Sequence, residues 1–182
     1  MIPRRYSDEG IVLARRSYSE ADRIISIITK DHGRVVVLAK GVRKPTSRKR
    51  GHLEVFSQIR FSVSHGKGLD IITEAETIDN FGEVRRDLKR AALAYFFMEV
   101  IGRTTQEGEP HRELYSHIVE NLRTLKSENK LRTLKDNFVV EVLTSLGFWP
   151  RGKILPNPEG KLQEITERVL FSSRVGKKLL AG

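Results

Sequence analysis

Between residues 10 and 78 the apolar side chains come in five short runs, at 11–14, 24–28, 35–39, 59–63 and 69–78, and only the connection between the third and the fourth is long. In the fourth run Ile59, Phe61 and Val63 alternate with Arg60, Ser62 and Ser64, the period of two that marks a half-buried strand. Asp31, His32 and Gly33 supply a tight turn between the second and third runs. Gly66, Lys67 and Gly68 do the same before the fifth, so both pairs are predicted to be antiparallel hairpins. A parallel sheet would need helical crossovers throughout, which these spacings do not leave room for. Five short strands of this kind fit a small closed barrel, and an antiparallel barrel of the OB type is the expectation for residues 1–79.

The pattern changes near Asn80, whose side chain can cap a helix while Glu83, three residues on, bonds back in a capping box. Helical spacing follows. Leu88, Ala92, Tyr95, Phe96 and Val100 form one predicted stripe, and Leu114, Ile118, Leu122 and Leu125 form another after Pro110, which suits a helix start. Residues 131–146 form a third helix whose Phe138, Val139, Val140, Val142, Leu143 and Leu146 cover most of its circumference, so it is expected in the centre of a bundle and to stop at Gly147. Pro150, Pro156 and Pro158 exclude a helix over 148–160, with one or two short helices to follow. The expected class is α+β: a barrel over 1–79, then an all-α domain over 80–182.

Charge is unevenly placed. Residues 1–80 hold 15 Lys plus Arg against 10 Asp plus Glu, and Arg43, Lys44, Arg48, Lys49 and Arg50, all in the one long connection, account for the whole excess. Like charges interleaved with Pro, Ser and Gly repel one another and resist burial, so an exposed, mobile loop is predicted, with phosphate as its natural counter-charge. The formal net charge of the chain is +10 and its pI about 10.0, which favours nucleic acid or an acidic protein segment over a neutral metabolite. Cysteine is absent, removing disulfides, thiolate nucleophiles and thiolate metal sites. Residues 1–9 lack the apolar core of a signal peptide and no run is long enough to span a bilayer, so a soluble cytoplasmic protein is expected, with no membrane association.

The order of features over the first eighty residues resembles the bacterial DNA repair protein RecO family. Gly10-Ile11-Val12-Leu13, Tyr18-Ser19-Glu20-Ala21-Asp22-Arg23-Ile24, Thr29-Lys30-Asp31-His32-Gly33-Arg34, Ala39-Lys40-Gly41-Val42-Arg43-Lys44 with Ser47-Arg48, Leu53-Glu54-Val55-Phe56 and Gly66-Lys67-Gly68-Leu69 follow that family's pattern in sequence. Beyond residue 80 the likeness is architectural. The resemblance implies an OB fold with a helical domain, binding single- and double-stranded DNA, annealing complementary strands, and assisting recombinase loading with RecR and single-stranded DNA-binding protein in the nucleoid-associated cytoplasm of a bacterium. Many relatives carry zinc-binding cysteines where residues 148–160 stand here; without them, neither zinc nor any other metal or cofactor is expected. The chain is also shorter than typical members, which puts any partner contact of the missing region in question.

Single-stranded nucleic acid on such a barrel needs a basic groove for phosphates and aromatic rings for bases. Lys40, Arg43, Lys44, Arg48, Lys49 and Arg50 are the loop candidates, and Arg15, Arg16, Arg23 and Arg34 those nearer the barrel. Tyr18, Phe56 and Phe61 are the aromatic options, with Phe61 assigned to the core because it is in phase with Ile59 and Val63. Arg85, Arg86, Lys89 and Arg90 recur at i and i+4, which would place them on one helix face, able to extend a DNA track or to receive the acidic tail of single-stranded DNA-binding protein. Lys126, Lys130, Arg132 and Lys135 are rivals for that tail, and a solvated surface is the alternative for both sets. Catalysis is not expected. Glu74 and Glu76 lie two apart on a predicted strand and share a face with Ile72 and Ile78 at either end, but no nucleophile or His accompanies them, His32, His65, His111 and His117 show no ligand spacing, and Gly66-Lys67-Gly68 is not a nucleotide-hydrolase loop. Trp149 is assigned to packing. The alternatives are an OB-type RNA-binding factor, a metal-dependent nuclease on Asp70, Glu74 and Glu76, and a protein-binding adaptor whose loop is incidental.

Overall fold

The computed structural model describes residues 5–166. These divide into two compact units: residues 5–80 with Thr105–Arg112, and Phe81–Thr104 with residues 113–166.

The first unit is a five-stranded closed barrel of β1 (Arg5–Ser17), β2 (Arg23–Thr29), β3 (Arg34–Ala39), β4 (Gln58–Ser64) and β5 (Asp70–Asp79), in the order β1-β2-β3-β5-β4. β1 is far longer than the apolar run that announces it, because its two halves serve different neighbours. Arg5 to Ile11 pair with β4 and Gly10 to Ser17 with β2. Gly10 stands at the crossing, where a Cβ would collide with the Ile27 side chain, so only glycine lets the strand change partners there. Four of the five pairings are antiparallel, and the fifth, Val37 with Asp70 and Leu38 with Ile71, is parallel and closes the barrel. Inside lie Val12, Ile25, Ile27, Val37, Ala39, Ile59, Phe61, Val63 and Ile72, the alternate residues of each strand.

The alternation along β5 is broken. Ser62 pairs with Glu74 but Val63 with Ile72, leaving Thr73 as a bulge that shifts the phase by one residue. Ile72 therefore points into the core while Glu74, Glu76 and Ile78 face out, so the shared face predicted for these four residues does not exist.

Residues 40–57 are not a mobile loop. Val42 and Leu53 are each only 1% exposed and belong to the core, while Arg43, Lys44, Arg48 and Arg50 between them stay in solvent. Burying two aliphatic side chains, at about 1.5–3 kcal/mol each, anchors both ends of a segment that composition alone marks as free. Thr105–Arg112 is packed across the β2–β3 turn: Gly108 N–H donates to the Arg34 carbonyl at 3.0 Å, and Arg112 lies 2.7 Å from Asp31.

The second unit comprises α1 (Gly82–Arg86), α2 (Leu88–Thr104), α3 (Arg112–Thr124, from residue 113), α4 (Leu131–Ser145) and α5 (Pro158–Thr166). Asn80 does not cap α1. That position falls to Phe81, in the left-handed region at φ 51° and making no side-chain cap bond; its ring is wholly buried, and that burial offsets the cost of the backbone conformation. The chain then breaks at Asp87, whose carboxylate accepts the N–H groups of Lys89 and Arg90 at 2.9 and 3.1 Å, a true N-cap for α2. Within α2 the buried face is rotated from the predicted stripe: Phe96 and Val100 are buried as expected, Leu88 and Tyr95 are exposed, and Leu93, Ala94, Phe97, Met98 and Ile101 are buried as well.

Elsewhere the predicted stripes hold. Leu114, Ile118, Leu122 and Leu125 are fully buried. Phe138 of α4 stacks on Phe97 of α2 with ring centroids 3.9 Å apart, although Val140 and Leu146 are only partly covered. Gly147, at φ 79°, ends α4 in a Schellman arrangement, with Phe148 N–H bonded to the Leu143 carbonyl at 2.8 Å and Gly147 N–H to that of Thr144 at 3.1 Å. Pro158 begins a helix rather than excluding one: Asn157 caps α5 by accepting the Gly160 N–H at 3.0 Å, and proline fits the first helical position. α5 is one of the one or two short helices expected after residue 160, beginning two residues early, and the rest of that expectation lies outside the described residues.

Candidate nucleic-acid interface

Two connections meet at one end of the barrel and are bonded to each other. Residues 18–22 join β1 to β2, with Tyr18 N–H donating to the Asp22 carbonyl at 3.1 Å. The Asp22 carboxylate accepts the Gly41 N–H at 2.7 Å, Arg43 N–H donates to the Ala21 carbonyl at 3.0 Å, and the Arg43 guanidinium reaches the Ser19 carbonyl at 3.1 Å. The start of the basic segment is thus fixed against the first loop, and Lys40, Arg43, Lys44, Arg48 and Arg50 are presented from a built surface.

The charges at this end are unbalanced. Residues 18–22 and 40–57 contain six bases, Lys40, Arg43, Lys44, Arg48, Lys49 and Arg50, and three acids, Glu20, Asp22 and Glu54. Asp22 is committed to Gly41, and Glu54 to Arg15 at 2.5 Å. Arg23, at the start of β2, is held below the usual arginine value by burial and next by the Arg15 guanidinium, with Arg43 and Arg50 adding to the effect and Glu54 opposing it. Arg15, Arg43 and Arg50 thus all act against the charge of Arg23 and Glu54 alone offsets them, a local excess of positive charge that an anion such as phosphate would relieve. Arg16 is exposed on the same strand end.

Beside this ridge lies an open pocket of ≈ 240 Å³, lined by Tyr18, Leu38, Lys40, Gly66, Lys67, Gly68, Leu69 and Ile71. The parallel pairing of β3 with β5 brings the end of β3 next to the β4–β5 turn, which is why Lys40 and Lys67 share it. Asp70 holds that turn by lying 2.9 Å from His65 Nδ1. Tyr18 is 61% exposed and Leu69 39%. Lys67 and Leu69 are additions that sequence reasoning did not assign; the flanking glycines mark a turn, but nothing local shows what the turn faces.

Other candidates are placed elsewhere or engaged. Arg34 donates through Nε to the Thr105 carbonyl at 3.2 Å and lies 3.6 Å from Glu107, on the Thr105–Arg112 segment at the opposite end of β3 from Lys40. Lys49 Nζ donates to the Ile72 carbonyl at 3.1 Å, and burial lowers its pKa. Phe56 is fully buried and offers no stacking face, as is Phe61. Asp70 lies in the turn contact described above while Glu74 and Glu76 stand outside the barrel opposite Ser62 and Arg60, and among the described residues no group of three His, Cys, Asp or Glu is arranged to hold a metal.

In the helical unit the i, i+4 face predicted for Arg85, Arg86, Lys89 and Arg90 is interrupted at Asp87, with the first two on α1 and the last two on α2. Arg90 serves the packing of this unit, because its guanidinium donates to the carbonyls of Leu125 and Glu128 at 2.6 and 2.7 Å, holding the turn that follows α3. Of the rival set, Lys126 lies over the Phe81 ring. Lys135 is only 5% exposed, 3.1 Å from Glu159 and over the Phe96 ring, and with Arg132 it lines a cavity of ≈ 250 Å³ beside Pro156 and Pro158. The Trp149 indole donates to the Lys153 carbonyl at 3.0 Å. Among the described residues no helix is long and apolar enough to cross a membrane.

Two family models match the chain, "Recombination protein O N terminal" over residues 1–81 and "Recombination protein O C terminal" over residues 85–153. It is 33% identical over 171 residues to the DNA repair protein RecO of Pelotomaculum thermopropionicum, covering 94% of this chain and 65% of that protein. It is 33% identical over 150 residues to that of Moorella thermoacetica, covering 82% and 56%, and 34% identical over 152 residues to that of Bifidobacterium adolescentis, covering 82% and 62%. The chain therefore spans between 56% and 65% of the length of these relatives. A barrel matched by one model and a set of helices matched by its companion, in the same order and over most of the sequence, make this chain a member of the RecO family.

Proposed function

We propose that the chain acts in DNA repair as a DNA-holding recombination mediator without catalytic chemistry of its own. The observation that carries this is the knitting of the β1–β2 loop to residues 40–57 through Asp22 and Gly41, which presents Lys40, Arg43, Lys44, Arg48 and Arg50 as one fixed basic surface at a barrel end. Phosphates of either single- or double-stranded DNA suit such a surface, because the contact is to backbone charge and not to base sequence. Annealing follows from the same charge: neutralising phosphates on two strands lowers their repulsion and lets pairing proceed without nucleotide hydrolysis. Family resemblance adds RecR and single-stranded DNA-binding protein as the partners for loading a recombinase, and the helical unit as a place for the acidic tail of the latter.

The test is fluorescence-anisotropy binding of a labelled single strand across a salt series, for the wild-type chain and for a variant with Arg43, Lys44, Arg48, Lys49 and Arg50 replaced by Ala. With about five phosphates engaged, the log–log salt slope of the wild type is expected near −3.5, about a hundred-fold loss between 50 and 200 mM salt. A flatter slope and weaker binding in the variant support the reading. Equal binding by the two proteins would remove DNA from the loop, and a clear preference for RNA of equal length would remove the repair role.

A further inference from the structure

We infer that the pocket between Tyr18, Lys40, Lys67 and Leu69 takes an unpaired nucleobase, so that this barrel end distinguishes single strands from duplex while the neighbouring arginine ridge does not. The inference rests on the reading of residues 40–57 as a DNA surface and adds a separate site to it.

Three features of the pocket point to a base. Tyr18 is the one large aromatic residue of the barrel that is mostly exposed among the described residues, at 61%, and the bond from its N–H to the Asp22 carbonyl fixes the loop that bears it. An exposed aromatic ring costs solvation with no packing return, yet it stands beside a second exposed apolar side chain, Leu69. Together they form two apolar surfaces suited to a flat, aromatic ligand. The turn on one side of the pocket needs glycine at Gly66, where a Cβ would collide with the Leu69 carbonyl, whereas at Gly68 a Cβ would meet open space, leaving room for a ligand. The polar rim is cationic, with Lys40 from the end of β3 and Lys67 from the β4–β5 turn on the same pocket. A base flanked by its own two phosphates carries this pattern: an apolar face with negative charge on either side.

Duplex DNA cannot supply that face. Its bases are stacked on one another and paired, and entry into a pocket would require flipping a nucleotide out, with loss of its pairing and stacking. A single strand offers unpaired bases without that cost. The ridge of Arg16, Arg43, Lys44, Arg48 and Arg50 meets phosphates in both forms alike. Two adjoining sites with different requirements would let the protein hold a strand by its backbone while fixing its register by one base.

The experiment uses the full chain and four proteins: wild type, Tyr18→Ala, Tyr18→Phe and the five-base loop variant. Each is titrated with a labelled single strand, a duplex of the same sequence and a strand of abasic residues. Tyr18→Ala is expected to weaken single-strand binding on the order of tenfold, to leave duplex and abasic-strand binding unchanged, and to be rescued by Tyr18→Phe, which keeps the ring. Thermal unfolding serves as the control that an exposed side chain has been removed without damage to the barrel. Equal loss on single strand and duplex, or no loss on either, overturns the inference. If Tyr18→Ala changes nothing while the five-base variant loses both DNA forms, the pocket inference fails and the DNA surface stands. If the five-base variant keeps its full affinity for both forms, the surface reading fails and the pocket inference with it.

Discussion

The carboxylate of Asp22 accepts the backbone N–H of Gly41 at 2.7 Å, joining the β1–β2 loop to the first residues of the basic segment. The Gly41 N–H is the main influence that holds this carboxyl below its ordinary value; burial opposes it, and the Ser19 hydroxyl with Lys40 and Lys44 reinforce it. A depressed carboxyl contributes stability that is fully present above the unfolded value and is lost as pH falls through the lower folded value. Asp22→Ala is therefore expected to speed tryptic cleavage within residues 43–50 at neutral pH and to weaken DNA binding severalfold. The stability difference between variant and wild type should begin to shrink as pH falls below the ordinary carboxyl value of 3.8 and be gone only below the lower folded value. Limited proteolysis with a pH series of denaturant melts checks both.

Lys49 and Arg48 are neighbours in a basic run, and the structure separates their roles. Arg48 is exposed, while Lys49 reaches back to the Ile72 carbonyl at 3.1 Å. Arg48→Ala should reduce the magnitude of the salt slope on single strands by about 0.7, one phosphate contact, without altering the melting temperature. Lys49→Ala should leave the slope unchanged and cost about 1 kcal/mol of stability from the lost hydrogen bond. Salt-series anisotropy and urea denaturation on the two single variants would show the reverse assignment if Lys49 contacts DNA.

How far the fold could be read from the sequence depended on the range of the interaction. Alternation within β4 and the stripe of Leu114, Ile118, Leu122 and Leu125 are local patterns, and both hold in the structure. Thr73 looks like any strand residue, and its bulge arises only from the pairing of β5 with β4. Asn80 and Glu83 match a capping box, but burial of Phe81 decides where α1 starts, and that burial is tertiary. The basic segment shows the same division. Its charge is plain in the sequence, whereas the anchoring of Val42 and Leu53 in the core, the bond from Gly41 to Asp22, and the meeting of Lys40 with Lys67 all depend on how the barrel closes.

Arg90 separates a basic helix surface from a structural cap. Its guanidinium donates to the Leu125 and Glu128 carbonyls at 2.6 and 2.7 Å, and its side chain is 16% exposed. Arg90→Ala is expected to lower the unfolding free energy by about 1–3 kcal/mol, since two carbonyls of the turn after α3 lose their charged donor. Arg86→Ala, on an exposed position of α1, should stay within about 0.5 kcal/mol of wild type. Chemical denaturation of the two variants decides the matter, and equal effects would restore a single functional face.

Tyr6 gives the barrel an alkaline signature. Its ring lies against His32 with centroids 4.3 Å apart, and burial, then Asp70 and Asp8, push its phenol from 10.0 up to about 12. Asp8 is drawn into the same corner by His32, whose Nδ1 lies 2.6 Å from its carboxylate. Ionising the phenol there would place a third negative charge beside two carboxylates, with part of its hydration already removed. A raised pKa in the folded state means that the folded protein holds its proton longer than the unfolded chain. The associated stability is complete below 10.0 and is lost as pH rises through about 12. Tyrosinate absorbance during an alkaline titration should thus show a late component from Tyr6, and Tyr6→Phe should remove that component. It should also flatten the fall in stability between those two pH values. A titration in which the Tyr6→Phe protein keeps the late component would place the slow phenol elsewhere in the chain.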